Sequence, residues 1–165
     1  MGDDTAGQHA LVSDRDAFMI HVEGLLDPAY RLATVMLLDY TAAEDAVNDA
    51  TLRAWNQYHR LHGEVTSFRT WFLSIVAGRC RRVQWWRRLS PGGRGRGIER
   101  SEGLPEVLMR LPAGSRAALF CYASLDLPMD EVARIMRTSV GRVRARVYRA
   151  SQRVQSELQR EGAER

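Results

Sequence analysis

The last quarter of this 165-residue chain carries Arg142, Arg144, Arg146, Arg149 and Arg153, with no acid among them until Glu157. Like charges at that density repel unless an anion compensates them. At about 100° per residue, Arg144, Ala145, Tyr148 and Arg149 share one helical face. Arginine meets the O6 and N7 of guanine with two hydrogen bonds, and Ala and Tyr offer apolar contact to a thymine methyl or to the backbone, so this face suits the reading of a DNA groove. Arg142 and Arg146 point elsewhere and suit phosphate contacts, which fix register without reading sequence. A merely solvated helix would mix its signs.

A second basic group, Arg79, Arg81, Arg82, Arg87 and Arg88, is interleaved with Trp85 and Trp86. Arginines can hold the phosphates of opened DNA while aromatic rings stack on its bases. The two tryptophans have a plainer reading as well, in which Trp86, in line with Phe72 and Ile75, finishes a core and Trp85 shields its edge. A third group is acidic. Asp45, Asn48, Asp49, Leu52 and Asn56 lie opposite an apolar stripe of Val47, Ala50, Ala54 and Tyr58, and an apolar Leu52 inside an acidic patch suits a protein interface better than a solvated face. Read as metal ligands, Glu44, Asp45 and Asp49 lack a histidine or a fourth oxygen at fitting spacing. No nucleophile–base pair, phosphate loop or metal cluster is visible, so the chain reads as no enzyme and needs no cofactor. Cys80 and Cys121, 41 positions apart with no CxxC, read as two half-buried thiols in a reducing compartment.

These groups need elements to position them. Apolar residues recur at three and four, never alternating, so the expectation is all-α: two small helical domains joined by a flexible linker. Ser90-Pro91-Gly92-Gly93-Arg94-Gly95-Arg96-Gly97 breaks any helix and marks that linker, 90–103, between lobes at 12–89 and 104–160 that can sit well apart. The first lobe reads as four helices. One is capped by Ser13 and carries Phe18, Val22, Leu25 and Leu26; a second opens at Pro28; a third is fixed by a capping box at Thr41-Ala42-Ala43-Glu44; a fourth carries Phe68, Trp71, Phe72, Ile75 and Val76. In the second lobe a helix from Leu111-Pro112 to about Ser124 precedes Asp130–Met136, then the turn Arg137-Thr138-Ser139 and a long helix Val140–Leu158. Two helices joined by a three-residue turn, the second rich in arginine, form a helix-turn-helix pattern.

All 24 basic residues are arginine, and charge is unevenly spread: residues 1–50 hold 10 acids and 2 arginines, whereas residues 51–100 hold 2 acids and 11 arginines. An acidic front and a basic middle imply two kinds of partner surface. No apolar run approaches the roughly 20 residues of a membrane span, the acidic N-terminus leads into no apolar signal segment, and Ala6 stands where myristoylation wants Ser or Thr. The expected location is the cytoplasm.

With those residues in place, the sequence resembles the extracytoplasmic-function (ECF) sigma factors of the sigma-70 family. Residues 43–55, Ala-Glu-Asp-Ala-Val-Asn-Asp-Ala-Thr-Leu-Arg-Ala-Trp, look like the acidic, alanine-rich region 2.2, and Ser67-Phe68-Arg69-Thr70-Trp71-Phe72-Leu73-Ser74-Ile75-Val76-Ala77 looks like the entry of region 2.4. Leu111-Pro112, Asp130-Glu131-Val132-Ala133 and Ser139–Ala150 are similar to region 4. The resemblance implies docking on core RNA polymerase, at the β′ clamp helices through Asp45, Asn48, Asp49, Leu52 and Asn56 and at the β subunit, and restraint by an anti-sigma factor. It implies promoter DNA as ligand: a minus-ten element at His59, Arg60, His62, Arg69, Arg79, Arg81 and Arg82, with a base captured by the loop His59–Ser67, and a minus-thirty-five element at Arg142, Arg144, Ala145, Arg146, Tyr148 and Arg149. Gly78, Arg137 and Arg142 depart from the family's usual Asn, Gly and Thr. Two other readings remain: a stand-alone helix-turn-helix regulator, and a sigma-like adaptor that binds polymerase or an anti-sigma factor without melting promoters.

Overall fold

The computed structural model describes residues 4–58, 67–89 and 106–163, with side chains described for 14–58, 67–89 and 106–160. The loop assigned to base capture, with His59, Arg60 and His62, and the linker lie outside them. The described residues form helices only: α1 Asp4–Leu37, α2 Tyr40–Tyr58, α3 Phe68–Leu89, α4 Glu106–Met109, α5 Ala113–Ala123, α6 Met129–Met136 and α7 Val140–Ala163.

The first lobe has three of these helices, not four. Pro28 lies inside α1 rather than opening a new helix. An interior proline costs about 3 kcal/mol through its missing N–H and its clash with the carbonyl four residues back. The stripe Phe18, Val22, Ala29, Leu32, Ala33 and Met36, all buried, runs through it at helical spacing, and that burial outweighs the break. Nor does Thr41 cap α2. One oxygen of the Asp39 carboxylate, Oδ1, accepts the Ala42 N–H at 2.9 Å and the other, Oδ2, accepts Arg87 Nη2 at 2.6 Å, so the cap is tied to the far end of α3. Burial raises the Asp39 pKa, but the Ala42 N–H and the Arg87 guanidinium outweigh it and hold the group below its ordinary 3.8. Leu38 at φ 52° makes the tight turn between α1 and α2.

Aromatic rings close one end of this lobe. Phe18 lies 5.2 Å from Trp55, 5.3 Å from Tyr58 and 6.0 Å from Phe68, ring centre to ring centre, and Phe68 lies 5.2 Å from Trp71. The cluster thus joins the end of α2, at Tyr58, to the start of α3, at Phe68. At the other end of α3, Trp85 and Trp86 do not finish the core. Both are about half exposed and pack on each other edge to face at 4.9 Å.

The second lobe follows its expected course. Pro112 and Pro128 precede α5 and α6, and α6 ends at Arg137, held left-handed at φ 50° at a cost of about 1–2 kcal/mol. Ser139 opens α7, its Oγ accepting the Arg142 N–H at 3.3 Å. Val132, Ile135, Val143, Val147 and Ala150 are the interior that holds α6 and α7 together.

The lobes are packed against each other, not apart. α3 lies on α6 and α1 on α5, and buried residues of both lobes form one continuous core. Arg116 of α5, 7% exposed, donates to the carbonyls of Val35 at 2.6 Å and Met36 at 3.1 Å near the end of α1, and to Met109 and Leu111 in its own lobe. Four carbonyls, two of them at the negative end of a helix, are what let a guanidinium go under without a carboxylate.

Candidate nucleic-acid interface and acidic docking face

α7 presents its outer face as its sequence requires. Val143, Val147 and Ala150 turn inward, so Arg142, Arg144, Ala145, Tyr148 and Arg149 turn outward and are exposed, Tyr148 by 65%. None of the side chains of Arg142, Arg144 and Arg149 has a hydrogen-bond or ion-pair partner among the described residues. Arginine forks without partners on a protruding helix are ready for bidentate acceptors. Arg146 is placed differently. It is half buried over α5, so close to Gly114 that a methyl there would come within 3.3 Å of its guanidinium.

α3 spends most of its arginines inside the molecule. Arg69 Nη2 donates to the Leu125 carbonyl at 2.7 Å, Arg81 reaches the Met136 carbonyl at 3.5 Å, Arg79 pairs with Asp49, and Arg87 with Asp39. Of the arginines of α3, only Arg82 and Arg88, beside Trp85 and Trp86, are exposed and without a partner among the described residues. Burial is the largest influence on Arg81, and with Arg137 and Arg146 nearby it lowers the guanidinium's pKa. The reason for the difference is geometric. Thr70, Leu73 and Ala77 form a second buried stripe on α3, on the side where Thr70 Oγ1 bonds the Glu131 carboxylate of α6. A helix buried on two sides keeps fewer side chains free.

The acidic residues come together as expected. Asp45, Asn48, Asp49, Leu52 and Asn56 are all exposed on one face of α2, over buried Ala43, Ala46, Val47, Ala50 and Ala54, and Leu52 is 64% exposed in their midst. Asn48 accepts a hydrogen bond from the Tyr30 hydroxyl at 3.3 Å, and Asp49 is occupied by Arg79. That leaves Asp45, Leu52 and Asn56 as the free part of the face. The thiols belong to no site. Burial pushes Cys80 and Cys121 up to about 12, so neither is a nucleophile in the folded chain.

Comparison with known proteins gives the family of this fold. Two family models match the chain, Sigma-70 region 2 over residues 21–90 and Sigma-70, region 4 over residues 101–154. The chain belongs to the sigma-70 family. Its two regions, in that order, are the organisation of the ECF sigma factors. A curated relative, "Probable RNA polymerase sigma factor RfaY" of Xanthomonas campestris pv. campestris, is 26% identical over 172 positions covering 91% of this chain. The chain spans 42% of that relative's length. Among solved structures, the sigma factor RpoE of Bartonella quintana, determined in complex with the anti-sigma factor NepR, has a similar fold, with a TM-score of 0.62 at 20% identity over 86% of this chain and 98% of that one.

In this sigma-70 family chain, region 2 is built by α1 to α3 and region 4 by α4 to α7. Sequence reasoning singled out neither Asp39, which caps α2 and anchors Arg87, nor Arg116, which bridges the regions. Asp39 had a readable signal, an acid three residues before Ala42. Arg116 had none, because its acceptors near the end of α1 are 80 and 81 positions away.

Proposed function

We propose that the chain is an ECF sigma factor that joins core RNA polymerase and directs promoter-specific initiation of transcription. The observation that carries this is a division of labour within one chain: an exposed acidic face with a central leucine on α2, and an exposed, unpaired arginine face on the second helix of a helix-turn-helix. A stand-alone regulator would use only the second. In this reading residues 12–89 bind the β′ clamp helices and the minus-ten element, residues 104–160 bind the β subunit and a minus-thirty-five duplex, and residues 90–103 link them.

Asp45, Asn48, Asp49, Leu52 and Asn56 dock on polymerase. Arg144, Ala145, Tyr148 and Arg149 read minus-thirty-five bases, with Arg142 on phosphate and Arg146 reaching phosphate from the edge of α5. His59, Arg60, His62, Arg69, Arg79, Arg81 and Arg82 serve the minus-ten element. The anti-sigma factor bound to the similar RpoE supports a restraining partner of that kind here. No described helix is long and apolar enough to cross a membrane, in keeping with action in the cytoplasm. The test is reconstitution: the purified chain with core polymerase and a library of promoter fragments should yield RNA from a sequence-defined subset. Core polymerase giving the same RNA with and without the chain would refute the proposal.

A further inference from the structure

One ion pair joins the helix assigned to minus-ten DNA to the face assigned to polymerase: Arg79 Nη2 of α3 donates to the Asp49 carboxylate of α2. The partners are unequally exposed, the Arg79 side chain by 24% and that of Asp49 by 53%. The cation is mostly buried, while the carboxylate it holds still stands half in solvent. Asp49 is occupied but not covered.

Stability is a poor account of this pair. Arg79 Nε is buried with no acceptor among the described residues, and a buried N–H without an acceptor is unfavourable. An ion pair with so exposed a carboxylate adds little to offset that. What the pair does supply is posture. A free aspartate on a helix surface populates several rotamers and must give them up on binding, and a carboxylate already fixed in place avoids that cost. The next residue of the same face is held in the same way from another helix. The Tyr30 hydroxyl of α1 donates to Asn48 at 3.3 Å, and Asn48 too remains exposed.

We propose that Arg79 is a positioning residue of the polymerase-docking face: it makes no contact with polymerase and aims the Asp49 carboxylate at a cation of the partner. The inference rests on the sigma-factor reading of that face, and it gives Arg79 a duty besides its minus-ten assignment. The sign of one effect separates positioning from mere charge. An acidic face attracts a partner of opposite charge, and a cation beside it weakens that attraction. Removing a bystander arginine would make the face more negative and association tighter. Removing a positioning arginine sets Asp49 loose, and association weakens.

Arg79→Met keeps the aliphatic stem and removes the guanidinium together with its unpartnered N–H. Association with core polymerase, measured without DNA so that no minus-ten contact enters, should weaken about fivefold. The melting temperature should be no lower than that of the wild type, because an apolar side chain of similar length replaces a mostly buried cation. Asp49→Ala should weaken association about tenfold. Adding Arg79→Met to Asp49→Ala should cause no further loss, whereas independent effects would multiply to about 50-fold.

Unchanged or tighter association of Arg79→Met, a further loss when it is added to Asp49→Ala, or a melting temperature that falls along with the affinity would each overturn the positioning role. So would wild-type association of Asp49→Ala, which would leave Arg79 nothing to position. A wild-type chain that does not associate with core polymerase at all would instead overturn the sigma reading.

Discussion

Two helices of this chain are rich in arginine, and they stand in opposite conditions. α7 packs one stripe, Val143, Val147 and Ala150, and leaves Arg142, Arg144 and Arg149 exposed, without partners among the described residues. α3 packs two stripes, one into its own lobe and one toward α6, and four of its arginines find acceptors inside the molecule. Charge density along a sequence reports that an anion or an acceptor is needed. It does not say whether that acceptor belongs to the chain itself or to a ligand. The number of buried faces decides: one leaves a helix free to read DNA, and two commit it to the fold until something moves.

The largest expected effect separates the two helices directly. Removing a bidentate arginine–guanine contact costs about 1–3 kcal/mol, or roughly 5- to 150-fold in affinity. Arg144→Ala and Arg149→Ala should each weaken binding to a minus-thirty-five duplex by that much and relax preference at one base position. Arg69→Ala should leave the same duplex affinity unchanged. Titration against a panel of single-base variants checks both. Equal losses for Arg69→Ala and Arg149→Ala would erase the distinction.

The acidic face sharpens the comparison, because α2 is likewise divided into free and spent residues. Asp49 is held by Arg79, whose Nε is buried with no partner among the described residues, so replacing Asp49 would disturb α3 as well as the acidic face. Asp45 and Leu52 are free of that entanglement. Asp45→Arg with Leu52→Asp should weaken association with core polymerase by about 2 kcal/mol or more, roughly 30-fold, with the melting temperature unchanged. Co-elution of this double variant with core polymerase at wild-type affinity would remove the docking role.

Most of the fold was legible because helical periodicity survives in short windows. The helix-turn-helix, the three-residue turn at Arg137 and the acidic face of α2 all follow from spacing within one or two turns. What escaped depends on long separation. The stripe that carries α1 through Pro28 is present in the sequence, at Val22, Leu25, Ala29, Leu32 and Met36, but a proline is locally the stronger helix-opening signal, and only burial of the whole stripe overrides it. The second buried side of α3 could not be read at all, since Thr70, Leu73 and Ala77 alone make a short mixed stripe whose partner, α6, begins about 50 positions later. The same holds for Arg69 and Arg81: their residue type predicts an anion, and a carbonyl from the other lobe satisfies it first.

A smaller effect is expected at the exposed end of α3, the part of that helix that behaves like α7. Trp85 and Trp86 pack edge to face on each other, near Arg82 and Arg88, which have no partner among the described residues. Stacking of a base on an aromatic ring is worth about 1–3 kcal/mol. Trp86→Ala should therefore weaken binding to single-stranded minus-ten DNA by about 1 kcal/mol, roughly fivefold, and leave stability unaffected because the ring is half exposed. Tryptophan fluorescence of the wild type should be quenched as the strand is added. An unchanged single-strand affinity would make these rings mere surface.

The smallest effect concerns Arg87, which sits among the free residues at that end yet is committed to Asp39. Because the folded-state pKa of Asp39 is held below its ordinary 3.8, the group contributes stability that is fully present above that value and is lost as pH falls through the folded pKa. Asp39→Asn keeps a good cap for α2 but loses the ion pair, so it should flatten the acid limb of the stability curve below about pH 5 and cost less than about 1 kcal/mol at pH 7. Asp39→Ala removes both functions and should cost about 1 kcal/mol or somewhat more at neutral pH. Urea titrations of the three proteins at pH 7, 4 and 3 measure this, read as the difference between wild type and variant so that other carboxylates cancel. If that difference for Asp39→Asn stays constant from pH 7 to pH 3, Arg87 is not held by Asp39. It would then count with Arg82 and Arg88 as a cation free to meet phosphate.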